Sequence, residues 1–289
     1  MNAVTLLTPE LKTRIVTAVI LAVIVIATLA TGSTALWALL VLVFCLAAGW
    51  ECLRLIPNLS LGAKALSWAC ILGGLGFLAF ALFGNDVAGR APLISKALTG
   101  LLVLASAFWL VVVPLQVRSH SIVIRAWWAR LTVPLLICSA WLAAVVLQRS
   151  GTALLLAVVM TTVVADISAY FVGRMFGRVK LAPWISPGKT REGAIGGVAA
   201  ASIWVALMAW YLELVVGISG LLLAALAGAF LGVFAVLGDL WESLLKRQAG
   251  VKDSSQLLPG HGGVLDRMDA QFAVLPLATL LLTRVLPLW

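Results

Sequence analysis

The sequence predicts an all-α, polytopic integral membrane protein with about nine transmembrane helices and its functional loops in the cytoplasm. Three observations carry this. Hydrophobic residues make up 63% of the 289 residues and charged ones 11%, whereas a soluble domain is about half apolar and about a quarter charged. The apolar residues come in runs, several near the ~20 residues a bilayer needs, without the alternation of a half-buried strand. A backbone crossing lipid must satisfy its own polar groups, and such runs do so as helices. Finally, the bases are gathered in alternate loops.

In chain order, residues 1–14 read as a short tail carrying Lys12 and Arg14. Ile15–Thr31 has the apolar character of a signal-peptide core. No convincing cleavage site separates it from the next run, so it reads as a span. Thr34–Trp50, Leu66–Phe83, Ala97–Val117, Leu131–Gln148, Thr152–Tyr170, Ala194–Val216, Ile218–Leu240 and Gln271–Pro287 follow, making nine. The Thr31–Thr34 and Gly217 junctions are tight, which leaves one re-entrant hairpin as an alternative. Arg118–Arg130, with Trp127 and Trp128, reads as an interfacial segment, bases in the headgroups and indoles at the boundary. Gly228 and Gly232, and the cluster Gly73, Gly74 and Gly76, predict close helix packing, with a homodimer interface as the alternative. Cys45, Cys52, Cys70 and Cys138 lie in or beside apolar segments without metal-ligand spacing and read as packing residues. No soluble domain separates out. Residues 1–289 form a single membrane domain, 1–150 as structural, lipid-facing helices and 151–289 as the catalytic helices and loops.

Charge tests the span count. With nine spans, the side of the N-terminus collects 16 of the 20 bases, and only Arg90, Lys96, Arg149 and Arg284 fall on the other. That asymmetry places the N-terminus in the cytoplasm and the C-terminus outside, as in a cell inner membrane. The net charge of +9 then points to loops beside anionic lipid rather than to nucleic acid.

The polar chemistry is concentrated late in the chain. Asp239–Asp269 holds five acids, four bases and His261 within 31 residues. If Asp239–Arg247 is helical, then Asp239, Glu242, Ser243 and Lys246 share one face. Pro259, Gly260, Gly262 and Gly263 then break any helix and let backbone approach a ligand. Asp266 and Asp269 follow, flanking Arg267. Neighbouring carboxylates suit a hard divalent cation such as Mg2+, and the bases suit phosphate oxygens. This reads as a metal-and-phosphate site at a membrane surface. A solvated loop with scattered salt bridges is the bland alternative, and ordinary loops rarely mix acids, bases, His and paired Gly so densely.

A second constellation spans Val164–Gly197. Asp166 lies inside an apolar run, where a carboxylate is a functional hypothesis by default, a helix–helix hydrogen bond or an ion pair being the alternatives. Tyr170 shares its face. The following loop carries Arg174, Arg178, Lys180, Lys189 and Arg191 against one acid, Glu192. Ser186-Pro-Gly-Lys189-Thr190 is not a P-loop, since neither the GxxxxGK[ST] spacing nor a preceding strand is there. Lys189 with the hydroxyls of Ser186 and Thr190 can still hold a phosphate. A helix starting near Thr190 would point its N-terminus at the same anion. A merely positive-inside loop is the alternative.

Ser243-Leu-Leu-Lys246-Arg247, then Lys252-Asp253, His261-Gly262-Gly263 and Asp266-Arg267-Met-Asp269 resemble the signature of the phosphatidate cytidylyltransferase family (CDP-diacylglycerol synthases). The Asp166-x-x-Ala-Tyr170, Ser-Pro-x-Lys-Thr and Gly-Gly elements resemble it too. Together these cover the C-terminal 130 or so residues; the N-terminal half matches only in hydropathy. The resemblance implies cytidylyl transfer from CTP to phosphatidic acid, giving CDP-diacylglycerol and pyrophosphate in phospholipid biosynthesis.

On that reading Asp239 and Asp266 are the first choices as metal ligands, with Asp269 and Asp166 next, for Mg2+ and in one version a second cation. Lys246, Arg247 and Lys252 face nucleotide phosphates or pyrophosphate, with Asp253 and His261 in the catalytic set. Ser186, Lys189, Thr190, Glu192, Ser243, Gly262, Gly263 and Arg267 make the substrate-binding set. Arg267 more readily orders its acidic neighbours than contacts substrate. The competing readings are an ion-coupled transporter using Asp166 and Asp239, and another CTP-dependent lipid-phosphate transferase or kinase.

Overall fold

The computed structural model describes residues 9–84, 91–119 and 126–286. Each of the nine apolar segments has a helix at its place: α1 (Pro9–Ala30), α2 (Thr34–Leu55), α3 (Leu61–Phe83), α4 (Ala91–Ala107) running on into α5 (Val113–Arg118), α6 (Ala126–Ser150), α7 (Thr152–Phe176), α8 (Arg191–Tyr211), which stops short of the expected Val216, α9 (Gly217–Gln248) and α10 (Leu265–Leu282), which starts earlier than the expected Gln271 and ends at Leu282. Eight of these segments, counting α4–α5 as one, are long and apolar enough to cross a membrane among the described residues. The ninth, α10, has 18 residues and opens on Asp266, Arg267 and Asp269. Lys12 and Arg14, read as tail residues, lie within α1. Residues 120–125 of the Arg118–Arg130 segment fall outside the described residues, and Ala126–Arg130 form the first turn of α6.

Helix α6 runs through the middle of the bundle, with Trp141, Leu142, Val145 and Leu147 buried. It is cross-tied to α2 by a reciprocal pair of indoles: Trp37 Nε1 donates to Ala144 O at 3.0 Å and Trp141 Nε1 to Ala38 O at 2.9 Å. The layer α7–α8–α9 is held differently, by glycine. A Cβ on Gly197 would meet Ala165 O at 2.7 Å, and one on Gly228 would meet Ala201 O at 2.6 Å. Gly228 and Gly232 therefore pack against α8 of the same chain, the close-packing reading of that pair. Cys45, Cys52 and Cys138 are buried and all four cysteines are unbridged.

Helix α9 sets the depth of the site. Its 32 residues extend about 48 Å at 1.5 Å per residue, well past the roughly 30 Å hydrocarbon core. The apolar part, Gly217–Gly238, is long enough to cross it, and the acids begin at Asp239. A π-helical turn, Phe108–Val112, separates α4 from α5 and seats Trp109 against Trp241, ring centroids 5.6 Å apart. Trp241 Nε1 donates to Gln116 at 3.2 Å, so the polar end of α9 is braced on both ring and nitrogen.

The segment between α7 and α8 differs from the expected loop. It is a two-stranded antiparallel hairpin, β1 (Lys180–Ala182) and β2 (Ser186–Thr190), pairing Lys180 with Thr190 and Ala182 with Ser186. Pro187 and Gly188 argue against a strand locally; tertiary contact overrides them. Ile185 is buried on Leu240 and Leu244, and Arg247 Nε donates to Ile185 O at 3.2 Å.

Candidate active site

The hairpin, the outer ends of α7 and α9, and the start of α8 enclose a cavity of about 460 Å3. Asp166, Tyr170, Arg174, Lys189, Thr190 and Asp239 are its polar lining. Asp239 is bridged to the Lys189 ammonium, and Ser243 Oγ donates to its other oxygen at 3.3 Å. Thr190 caps α8, its hydroxyl accepting from Gly193 N at 3.2 Å. The helix N-terminus and Lys189 therefore open on the same cavity, a combination that favours an anion. Arg174 donates to the Tyr170 hydroxyl at 2.9 Å, one turn along α7.

Behind the cavity, α9 and α10 meet at Gly238, where a Cβ would come within 2.8 Å of Asp269 O and 2.9 Å of Ala270 Cα. That close approach brings three acids together: ligand oxygens of Asp239, Glu242 and Asp269 lie within 4.8 Å of one another. Glu242 Oε1 is buried without a hydrogen-bond partner. Its Oε2 pairs with Lys246 Nζ at 2.6 Å, and the same ammonium reaches Asp266 Oδ1 at 2.8 Å. An orphaned buried carboxylate oxygen among three acids fits a hard cation.

Asp266, expected beside Asp239 as a metal ligand, is engaged in its own loop instead. Its Oδ2 accepts from Ser254 N at 2.9 Å, Ser254 Oγ at 2.9 Å and Gly263 N at 2.8 Å. Asp269 takes the place by Asp239 that the sequence reading gave first to Asp266. Glu242, noted on the polar face of α9 but not counted as a ligand, joins them. Its signal was the i, i+3 spacing from Asp239.

The remaining expected residues divide between cavity and scaffold. Glu192 accepts from Arg178 N at 3.1 Å and Val179 N at 3.3 Å, holding the entry to the hairpin. Arg247 holds the hairpin's turn, as described above. Arg267 donates through Nε and Nη2 to His261 O, at 3.1 and 2.7 Å, so it orders the loop. His261 Nδ1 is buried and unpartnered. Gly260 and Gly262 have φ of +75° and +83°, a backbone that an L side chain adopts only with strain. Lys252 and Asp253 are exposed at the rim of this loop, and Ser186 is half-buried in β2.

The sequence profile of the cytidylyltransferase family matches residues 12–285. The chain belongs to the cytidylyltransferase family. Among curated relatives, the phosphatidate cytidylyltransferase of Pseudomonas aeruginosa is 42% identical over 192 residues, 64% of this chain and 70% of that protein. The proteins of the same name from Haemophilus influenzae and Bacillus subtilis are each 48% identical, over 130 and 117 residues. These two alignments cover 44% and 40% of this chain, and 44% and 42% of the relatives' own lengths.

Proposed function

We propose that this chain transfers the cytidylyl group of CTP to phosphatidic acid at the cytoplasmic face of a cell inner membrane, forming CDP-diacylglycerol and releasing pyrophosphate. The observation that carries the reading is that Asp239 belongs at once to the acidic cluster with Glu242 and Asp269 and to the lining of the cavity on which Lys189 and the N-terminus of α8 open. Family membership and the names of the relatives support the same reaction.

The reaction joins two polyanions. A phosphate oxygen of the lipid forms a bond to the α-phosphorus of CTP while the bond from that phosphorus to the bridging oxygen of the β-phosphate breaks. A phosphate monoester is already nucleophilic, so the chain's task is positioning and charge neutralisation more than proton abstraction. Lys189 and the first turn of α8 hold one phosphate. Arg174 adds a cation at the rim, and Lys246 lies between the acidic cluster and the loop. Asp239, Glu242 and Asp269 would hold Mg2+, with Asp166 on the cavity wall close enough to add to the same negative field. A bound divalent cation supplies charge neutralisation on the phosphates and the departing pyrophosphate. Lys189 is paired with Asp239, so a phosphate bound at that ammonium would exchange one of its anionic partners for another.

Purified protein in detergent with phosphatidic acid and labelled CTP tests this. The expected result is a labelled lipid and stoichiometric pyrophosphate, both abolished by excess chelator. Label transferred instead from the γ-phosphate of ATP would make the chain a kinase. Lipid labelling that persists in chelator would remove the metal from the reading.

A further inference from the structure

We infer that Glu51, on α2 in the half of the chain expected to be structural, is a positioning residue for the catalytic loop and for the acids at the start of α10. This rests on the function proposed above. Glu51 is 0% exposed, and no Lys, Arg or His pairs with it among the described residues. A buried carboxylate without a counter-ion is costly unless hydrogen bonds fill its lone pairs. Here four donors do. Oε1 accepts from Ser255 Oγ at 2.5 Å and Val264 N at 3.0 Å. Oε2 accepts from Ser254 Oγ at 3.0 Å and Leu265 N at 2.6 Å. Each oxygen thus has one hydroxyl and one backbone N–H within hydrogen-bond distance, the Ser254 hydroxyl being shared with Asp266.

Two of those donors belong to the start of α10. The residue at its N-cap, Val264, makes no side-chain cap, and an apolar residue there cannot. Glu51 supplies the cap from a helix more than two hundred residues earlier in the chain. The fit is close: a Cβ on Gly263 would lie 2.6 and 2.7 Å from the two Glu51 oxygens.

The capped turn is the one that carries Asp266, with Asp269 following one turn on. Ser254 stands between the two carboxylates, its hydroxyl 3.0 Å from Glu51 and 2.9 Å from Asp266. One hydroxyl proton serves one acceptor at a time, so Ser254 couples the two acids. The loop is held from the α2 side by Glu51 and from the α10 side by Asp266. Asp269 is delivered to Asp239 and Glu242 by the same α10 that Glu51 caps.

Glu51→Gln tests this, since its amide NH2 would face a donor wherever it is placed. The expected result is at least a tenfold loss of kcat with KM for CTP within threefold of wild type, and at least a threefold rise in the Mg2+ concentration for half-maximal rate. Amide hydrogen exchange, read by mass spectrometry, should quicken at least tenfold in residues 253–270 and stay unchanged in α6–α8. Glu51→Asp, which keeps the carboxylate, should recover part of both. If Glu51→Gln does not fold, Ser255→Ala removes one of the four bonds and should move both readouts about threefold in the same direction. Turnover per folded molecule or loop exchange at the wild-type value overturns the inference. Should wild-type protein make no product from CTP and phosphatidate, the proposed function fails, and the exchange comparison still decides whether Glu51 holds the loop.

Discussion

At the scale of single residues, the acids near the membrane face have separate duties. Asp239, Glu242 and Asp269 converge, whereas Asp266 is spent on Ser254, Gly263 and Lys246. Changing Asp239→Asn or Asp269→Asn keeps the shape and removes a charge, and each should lower turnover by about two orders of magnitude or more. Groups that act as one unit are strongly non-additive, so the Asp239→Asn plus Asp269→Asn double variant should be little worse than the worse single. Asp266→Asn should instead loosen the loop, and its effect should add to that of Asp239→Asn on a logarithmic scale. Double-mutant cycles on kcat separate the two patterns. The shared face of Asp239, Glu242 and Ser243 was legible from helical spacing alone. The choice between Asp266 and Asp269 was not. They are three residues apart, and what divides them is which backbone N–H groups a folded loop turns toward one of them. The role inferred for Glu51 was equally hidden, because its four partners lie some two hundred residues away.

At the scale of elements, the site depends on how near α10 comes to α9. Gly238 is the point of contact, and its missing side chain is what lets Asp269 reach Asp239. Gly238→Ala should push the helices apart. Overpacking of a tight contact costs about 1–3 kcal/mol, which a thermal shift in detergent will register. The loss of turnover should be larger than that stability change explains, at least tenfold in protein still folded at the assay temperature. Wild-type turnover in a folded Gly238→Ala protein would mean that the acid cluster tolerates a wider spacing than its geometry implies. The nine helical segments could be read from hydropathy because burial in lipid leaves an unbroken apolar run. The β1–β2 hairpin could not. Its second strand contains Pro187 and Gly188, and it exists because Ile185 finds a pocket on α9 that local sequence does not reveal.

At the scale of the whole molecule, the bundle has two distinct ends. Thr17 Oγ1 near the start of α1 donates to Pro259 O at 2.9 Å, Glu51 near the end of α2 binds the 254–265 stretch, and Gln116 near the end of α5 meets Trp241. The hairpin and the loop after α9 lie at this same end. At the other end Arg149 donates to Leu82 O at 3.1 Å, joining the close of α3 to the close of α6. These contacts sort the helix ends as nine alternating spans would, and that count gathers 16 of the 20 bases on the side of the site. Basic loops tend to be retained in the cytoplasm, so the proposed orientation would put the site on the side from which the proposed nucleotide is to come. Single cysteines at Arg178 and Lys252 in a background without Cys45, Cys52, Cys70 and Cys138 should react with a membrane-impermeant maleimide only in inside-out vesicles. A reporter fused after Trp289 should be active only on the opposite side. Labelling of the Lys252 position in right-side-out vesicles would overturn the orientation and separate the acid cluster from its proposed nucleotide. Opposite answers at positions 178 and 252 would mean that the hairpin and the loop do not share a face, contrary to the Arg247–Ile185 hydrogen bond that joins the hairpin to the end of α9 from which the loop leaves.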